Sequence, residues 1–296
     1  MSEYKITCSS TCDLSAEHLK ALNVEYLKFH YIIDGVEYPD DLYQSCTPKD
    51  FYNRIKTGAL PTTSQTTPEE VTALIEPMLK AGYDVLHIEF SSGLSGSYNS
   101  ALAAQKILSE KYPERKFLVV DSLAASSGYG LLVDKAVELK NGGMAIQDLK
   151  DWLEENKLRV RHWFFTTNLT HFKRGGRVSG AAAMFGSMLN ICPVLDVNSQ
   201  GKLIVRKKKI GKKKAIKELI DTMLQEAENG EDYNQKCYMS NSMVPDDAAK
   251  IATTLQSALL RMNGRVLINH IGTVIGSHTG DGTVALFYFS KDKRGE

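Results

Sequence analysis

The sequence predicts an α/β protein in two parts, an N-terminal parallel sheet flanked by helices followed by a mixed or antiparallel α/β part. Three observations lead there. Through the first half, apolar runs of strand length alternate with helical patterns, which is the pattern of a parallel sheet covered by helices. Beyond about residue 158 the strand-like runs arrive in pairs without a helix between each, which argues for a mixed or antiparallel sheet. The chain has 296 residues, 43% of them hydrophobic, enough for a substantial core and a length of about two domains. The boundary is placed near residue 158, dividing the chain into 1–158 and 159–296.

Each element has its own signal. "YKITCSS" near the start reads as a strand before the helix-like "DLSAEHLKALN". "LPTTSQTTPEEV" carries a helix start: Thr67 as N-cap, Pro68 at the first helical position and Glu70 three residues on form a capping box. Next, "YDVLHIEF" leads into a helix over about 97–111, and "KFLVVDS" into "GYGLLVDKAVELK". After the helix "IQDLKDWLEENK" come six strand-like runs, from "RHWFFTTN" to "TVALFYFS", with one clear helix at 212–227. In that helix Ile216, Leu219, Ile220, Met223 and Leu224 recur on a single face.

Composition excludes several settings. The net charge of +1 supplies no global field for nucleic acid or an anionic membrane. Five cysteines, Cys8, Cys12, Cys46, Cys192 and Cys237, fit neither a disulfide framework nor the paired spacing of a zinc site, and read as reduced thiols. The opening "MSEYKITCSS" lacks the apolar core of a signal peptide, so a cytoplasmic location is expected. The uncharged stretch 178–195 is interrupted by Gly180, Gly186, Asn190 and Pro193, which argues against a membrane span.

Four constellations could carry chemistry. "SSGLSGS" over 91–97 precedes a helix; its serines either cap that helix or, with the free N–H groups and the macrodipole, hold an anion. Thr62, Thr63, Ser64 and Gln65 stand in a loop with no capping duty, either solvated or facing a polar ligand. "FKRGGRVSG" puts Arg174 and Arg177 around a glycine pair beside the uncharged stretch. That is either an exposed basic turn or a clamp for the charged end of an amphipathic ligand. "IGTVIGSHTGDG" places His278 in a glycine-rich turn between two apolar strands, where it could pack, donate a hydrogen bond or relay a proton. The lysines of "KKKIGKKK", 207–214, suit a solvated edge or a docking surface better than nucleic acid, since no stacking aromatics are interleaved. "GLSGS" falls short of the nucleophile-elbow pattern, ending in Ser97 where glycine is required. A serine triad of Ser95, His278 and Asp121 is nominally available; no Walker A, dinucleotide or zinc-protease pattern is present.

Taken in order, "SSTCDLS", "TSQ", "SSGLSGSYNSA", "VVDS", "FKRGGRVS", "CPVLDV" and "SHTGDG" resemble the DegV family, which is similar to the fatty-acid-binding subunit of bacterial fatty acid kinase. The resemblance spans nearly the whole chain. It implies a two-part α/β fold in which one long-chain fatty acid is buried in a tunnel, placed here in the part 159–296. Its carboxylate would be held by Thr63, Ser95 and His278, with Thr62 and Ser92 as alternates. No cofactor or metal and no catalysis by the chain alone are implied. The implied partner is an ATP-dependent kinase subunit that phosphorylates the carboxylate for phospholipid synthesis, met through Arg174, Arg177, Arg206 and Lys209. Nucleic acid is not an implied partner, and membrane contact would be transient at most. The chain departs from the family pattern at Cys8, where aspartate is usual, and at Asp281, where proline is usual. Outside the resemblance, the rival readings are a small-molecule hydrolase using Ser95 and a protein- or nucleic-acid-binding module using 207–214.

Overall fold

The computed structural model describes residues 3–178 and 191–296. The chain opens with β1 (Tyr4–Ser9), α1 (Ala16–Ala21) and β2 (Glu25–Leu27). A small antiparallel sheet follows, made by β3 (His30–Ile33), β4 (Val36–Pro39) and β5 (Thr62–Ser64), with α2 (Pro48–Lys56) before β5. Then come α3 (Pro68–Lys80), β6 (Asp84–Glu89), α4 (Ser97–Lys111), β7 (Phe117–Asp121), α5 (Ser126–Asn141) and α6 (Ile146–Asn156). Strands β1, β2, β6 and β7 form a four-stranded parallel sheet in the order β2-β1-β6-β7. This is the parallel sheet that the alternation predicts. The capping box before α3 is present, with Glu70 N donating to Thr67 Oγ1 at 3.2 Å and Thr67 N to Glu70 Oε2 at 2.8 Å.

The second half contains β8 (Val160–Thr166), α7 (Thr170–Gly175), β9 (Ile191–Val197), β10 (Leu203–Ile210), α8 (Lys212–Glu226) and β11 (Tyr238–Asn241). It ends with α9 (Pro245–Ala258), β12 (Leu267–His270), α10 (Thr273–Thr279) and β13 (Thr283–Phe289). A six-stranded sheet in the order β10-β9-β8-β13-β11-β12 is antiparallel except for the β11–β12 pair. The mixed sheet matches the expectation, but the helix content corrects it. Besides α8 there is α9, which makes β11 to β12 a parallel crossover. Pro245 at its first turn, Asp246 and Asp247 beside it, and buried Ala248, Ile251, Ala252 and Leu255 supply the helix signal.

Helix α5 joins the two sheets. All but its last turns are buried, and it packs against β1 on one side and β8, β11 and β13 on the other. Glycine makes this approach possible: a Cβ on Gly128 would stand 2.5 Å from His162 Nε2, and one on Gly130 2.7 Å from Cys12 O. One hydrophobic cluster therefore runs from Ile6 and Leu86 through Leu131 and Leu132 to Phe165 and Leu286. No helix among the described residues is long and apolar enough to cross a membrane, and the uncharged stretch 178–195 lies mostly outside the described residues.

Candidate functional site

A cavity of about 690 Å³ lies where the two sheets, β5 and α10 meet. In a parallel sheet the strand ends at the carboxyl side leave a crevice for ligands; here the turn after β6 brings Ser92, Leu94 and Ser95 to its wall. The cavity takes residues from both sides of position 158 rather than from the second half alone. Its walls are mostly apolar, including Phe29, Phe90, Phe164, Ile275 and Phe287. Polar side chains gather where β5, the 91–96 turn and α10 converge: Thr63, Gln65, Ser92, Ser95, Asn99 and His278.

The hydrogen bonds at this end define what it can donate. Ser95 Oγ accepts from Ser97 N at 3.2 Å, so its hydroxyl proton remains free for a ligand. The N-cap of α4 is Gly96, which makes no side-chain cap bond; the serine turn thus helps satisfy the helix start and leaves donors facing the cavity. Thr63 Oγ1 and His278 Nε2 are 2.7 Å apart, joining β5 to α10. His278 Nδ1 is buried without a partner. An orphaned buried N–H is costlier than an orphaned lone pair, which favours the tautomer protonated at Nε2. In that tautomer the imidazole donates to Thr63 Oγ1, and the threonine proton is free to donate onward. Burial, reinforced by Arg177, Arg174 and His171, pushes the His278 pKa down to about 4, so the ring is neutral at neutral pH. His278 thus sits on a short helix rather than in the expected open turn.

Several sequence-predicted residues fall elsewhere. Thr62 is exposed at the start of β5 and does not line the cavity, whereas Thr63 and Ser64 do. Arg177 is exposed, lines the cavity and donates to Gly175 O at 2.6 Å, which places its guanidinium beside the site. Arg174 Nη2 donates to Leu60 O and Pro61 O at 2.6 and 3.1 Å, tying α7 to the segment before β5. On β10, Lys207 and Lys209 both pair with Glu218 of α8, and Arg206 Nη1 donates to Glu296 O at 2.8 Å. Lys212 pairs with Asp247 at 2.7 Å. The lysine run is a charged edge strand of the kind that discourages strand addition, with part of its charge met internally. Asp121 accepts from Ser92 N and Leu123 N at 3.1 and 3.0 Å. With Ser95 bonded to Ser97 N and His278 to Thr63, no hydrogen bond links the nominal triad of Ser95, His278 and Asp121.

Sequence reasoning missed Asn99, His162, Phe164 and Phe287 as lining residues. Asn99 stands in the first turn of α4, directly after the serine turn. The others lie on alternate positions of β8 and β13.

A family model described as "Uncharacterised protein, DegV family" matches residues 3–291. The chain belongs to the DegV family. A DegV domain-containing protein of Clostridium perfringens is 39% identical over 293 residues, covering 99% of each chain. Among solved structures, a DegV family protein of Thermus thermophilus, described by its fatty acid binding, superposes with a TM-score of 0.85 at 30% identity over 97% of this chain and 99% of that one. DegV of Bacillus subtilis, described as a fatty acid binding protein, gives 0.82 at 27% identity over 98% and 100%.

The two departures from the usual DegV pattern have structural places. Cys8 is buried, its Sγ 4.0 Å from that of Cys12. Asp281 accepts from Asn168 Nδ2 at 2.9 Å, which fixes its carboxylate on the α7 approach instead of on His278.

Proposed function

We propose that this DegV chain binds one long-chain fatty acid in the cavity, with its carboxylate at the Thr63, Ser95 and His278 end, and presents that carboxylate to an ATP-dependent kinase subunit in the cytoplasm. The observation that carries the reading is the make-up of the site: a cavity of about 690 Å³ with mostly apolar walls, in which the hydroxyls of Thr63 and Ser95 converge with His278. Its size falls within the range of small-molecule sites. The fatty acid binding ascribed to the Thermus and Bacillus relatives supports it.

The energetics run the same way. At about 0.8 kcal/mol per buried methylene, a chain of about fourteen methylenes gains on the order of 11 kcal/mol before ordering costs. Head-group contacts then orient the ligand more than they retain it. Ser95 and Thr63 each offer one hydroxyl proton, and Arg177 brings a guanidinium to the same wall. Presentation to a kinase rests on the family resemblance and on this basic residue beside the head group.

The test is extraction. Protein purified without added lipid is denatured, extracted with solvent and analysed by mass spectrometry. One equivalent of a long-chain fatty acid is expected. Incubation of the loaded protein with a kinase subunit and ATP should then give an acyl phosphate. Extracts without any acyl ligand, together with no uptake of added fatty acid, would refute the reading.

A further inference from the structure

The cavity has a ladder along one wall. On β13 the residues that line it are Thr283, Ala285 and Phe287, every second position, and on β8 they are His162 and Phe164. The register pairs Ala285 with Phe164 and Phe287 with His162. Thr283 follows α10, the helix that carries His278, so this rung lies toward the polar end. At a strand rise of about 3.3 Å per residue, the Phe287–His162 rung is about 13 Å farther along the wall. The next rung on the same face, Phe289 with Val160, does not reach the cavity. Along these two strands the lining stops at His162 and Phe287, and on β9 and β10 the same rung is continued by Val197 and Leu203.

That closing rung is fixed from several sides. His162 is 1% exposed. Its Nδ1 lies 3.0 Å from Val160 O, which can only accept, so Nδ1 carries the proton and Nε2 accepts from Ala125 N at 3.3 Å. The imidazole meets the Phe287 ring edge-on, with centroids 5.4 Å apart. Behind them α5 presses in at Gly128, where a Cβ would stand 2.6 Å from Phe287 Cδ1. Neither ring can swing aside without breaking a hydrogen bond or striking helix backbone. Ala285, one rung nearer the head group, is small enough to let an acyl tail pass.

We infer that His162 and Phe287 form the tail stop that sets the longest acyl chain this protein accepts, and that Ala285 keeps the passage to it open. This rests on the reading that the carboxylate sits at the Thr63 and Ser95 end. Below the limit, each added methylene should tighten binding about fourfold. Beyond it, overpacking against a fixed wall reverses the trend.

The experiment measures the affinity of the delipidated protein for a series of straight-chain saturated fatty acids of increasing length. The wild-type chain should show an optimum. His162→Ala should move that optimum to longer acids by about two carbons, with the longest gaining about fourfold per extra methylene. Ala285→Val narrows the middle rung and should move it to shorter acids. Because His162→Ala removes buried hydrogen bonds, Ala285→Val decides the matter if the first variant does not fold. An optimum that stays put in the folded variants overturns the tail stop and leaves fatty acid binding intact. A wild-type chain that binds no acid of any length overturns the binding reading and the tail stop together.

Discussion

His278 is the residue on which the head-group chemistry turns. Its ordinary pKa near 6.5 is pushed down to about 4 by burial and by the neighbouring arginines. A depressed histidine pKa means that the fold holds the neutral form. Its contribution to stability is present above about pH 6.5 and is lost as the pH falls toward 4. A neutral imidazole bonded to Thr63 acts as a positioning group for the threonine proton. Fatty acid affinity should therefore stay level between pH 6 and 8 when followed by a displaced fluorescent acid. A step centred near 6.5 would contradict this account of His278. Ser95 contributes differently, since its free proton would meet the carboxylate directly. A hydrogen bond to a charged group is worth about 1.5–3 kcal/mol, so Ser95→Ala should weaken binding roughly ten- to a hundredfold without emptying the cavity.

At the scale of elements, α10 is the piece whose placement matters most to the site. Its approach is clamped at Ile271, whose carbonyl accepts from Tyr43 OH at 2.6 Å and from Tyr52 OH at 3.0 Å. Tyr52→Phe removes one of two donors and should cost about 1 kcal/mol of stability. Thr67→Ala, which breaks the capping box of α3, should cost about as much. Only the first should speed fatty acid release, because only Tyr52 holds the helix that carries His278. Denaturant unfolding and dissociation rates measure the two effects, and equal release rates in both variants would refute the clamp. The same element shows where sequence reading stops. Helices α3 and α8 were legible because a capping box and a single apolar face are local signals. "TVIGSHT" reads as a turn because its two-turn helix has too little length for periodicity, and its burial comes from distant segments: α7, about 100 positions away, and β3, β5 and α2, more than 200 positions away. The three-stranded sheet β3–β5 was missed for a similar reason, since strands of three or four residues hold too few alternations to stand out.

For the whole molecule, the cavity exists because α5 is wedged between two sheets that the chain builds in succession. The order of strands and helices in the first half could be read from the sequence, since parallel strands and their covering helices each carry a strong local pattern. The resemblance then named Thr63, Ser95 and His278, and those three share the polar end. What could not be read was depth. The pairing of Phe287 with His162 is a matter of register between strands 125 positions apart, and which residues of β5 reach the cavity depends on where β5 lies against β3. The central claim is therefore one of orientation: a single fatty acid, head at Ser95 and tail at His162. A crystal structure with a fatty acid brominated at its terminal carbon tests this directly. The account predicts one anomalous bromine peak beside His162 and Phe287, with carboxylate density in hydrogen-bonding reach of Ser95 Oγ. A bromine peak at the Thr63 end, or no ligand in the cavity, would contradict it.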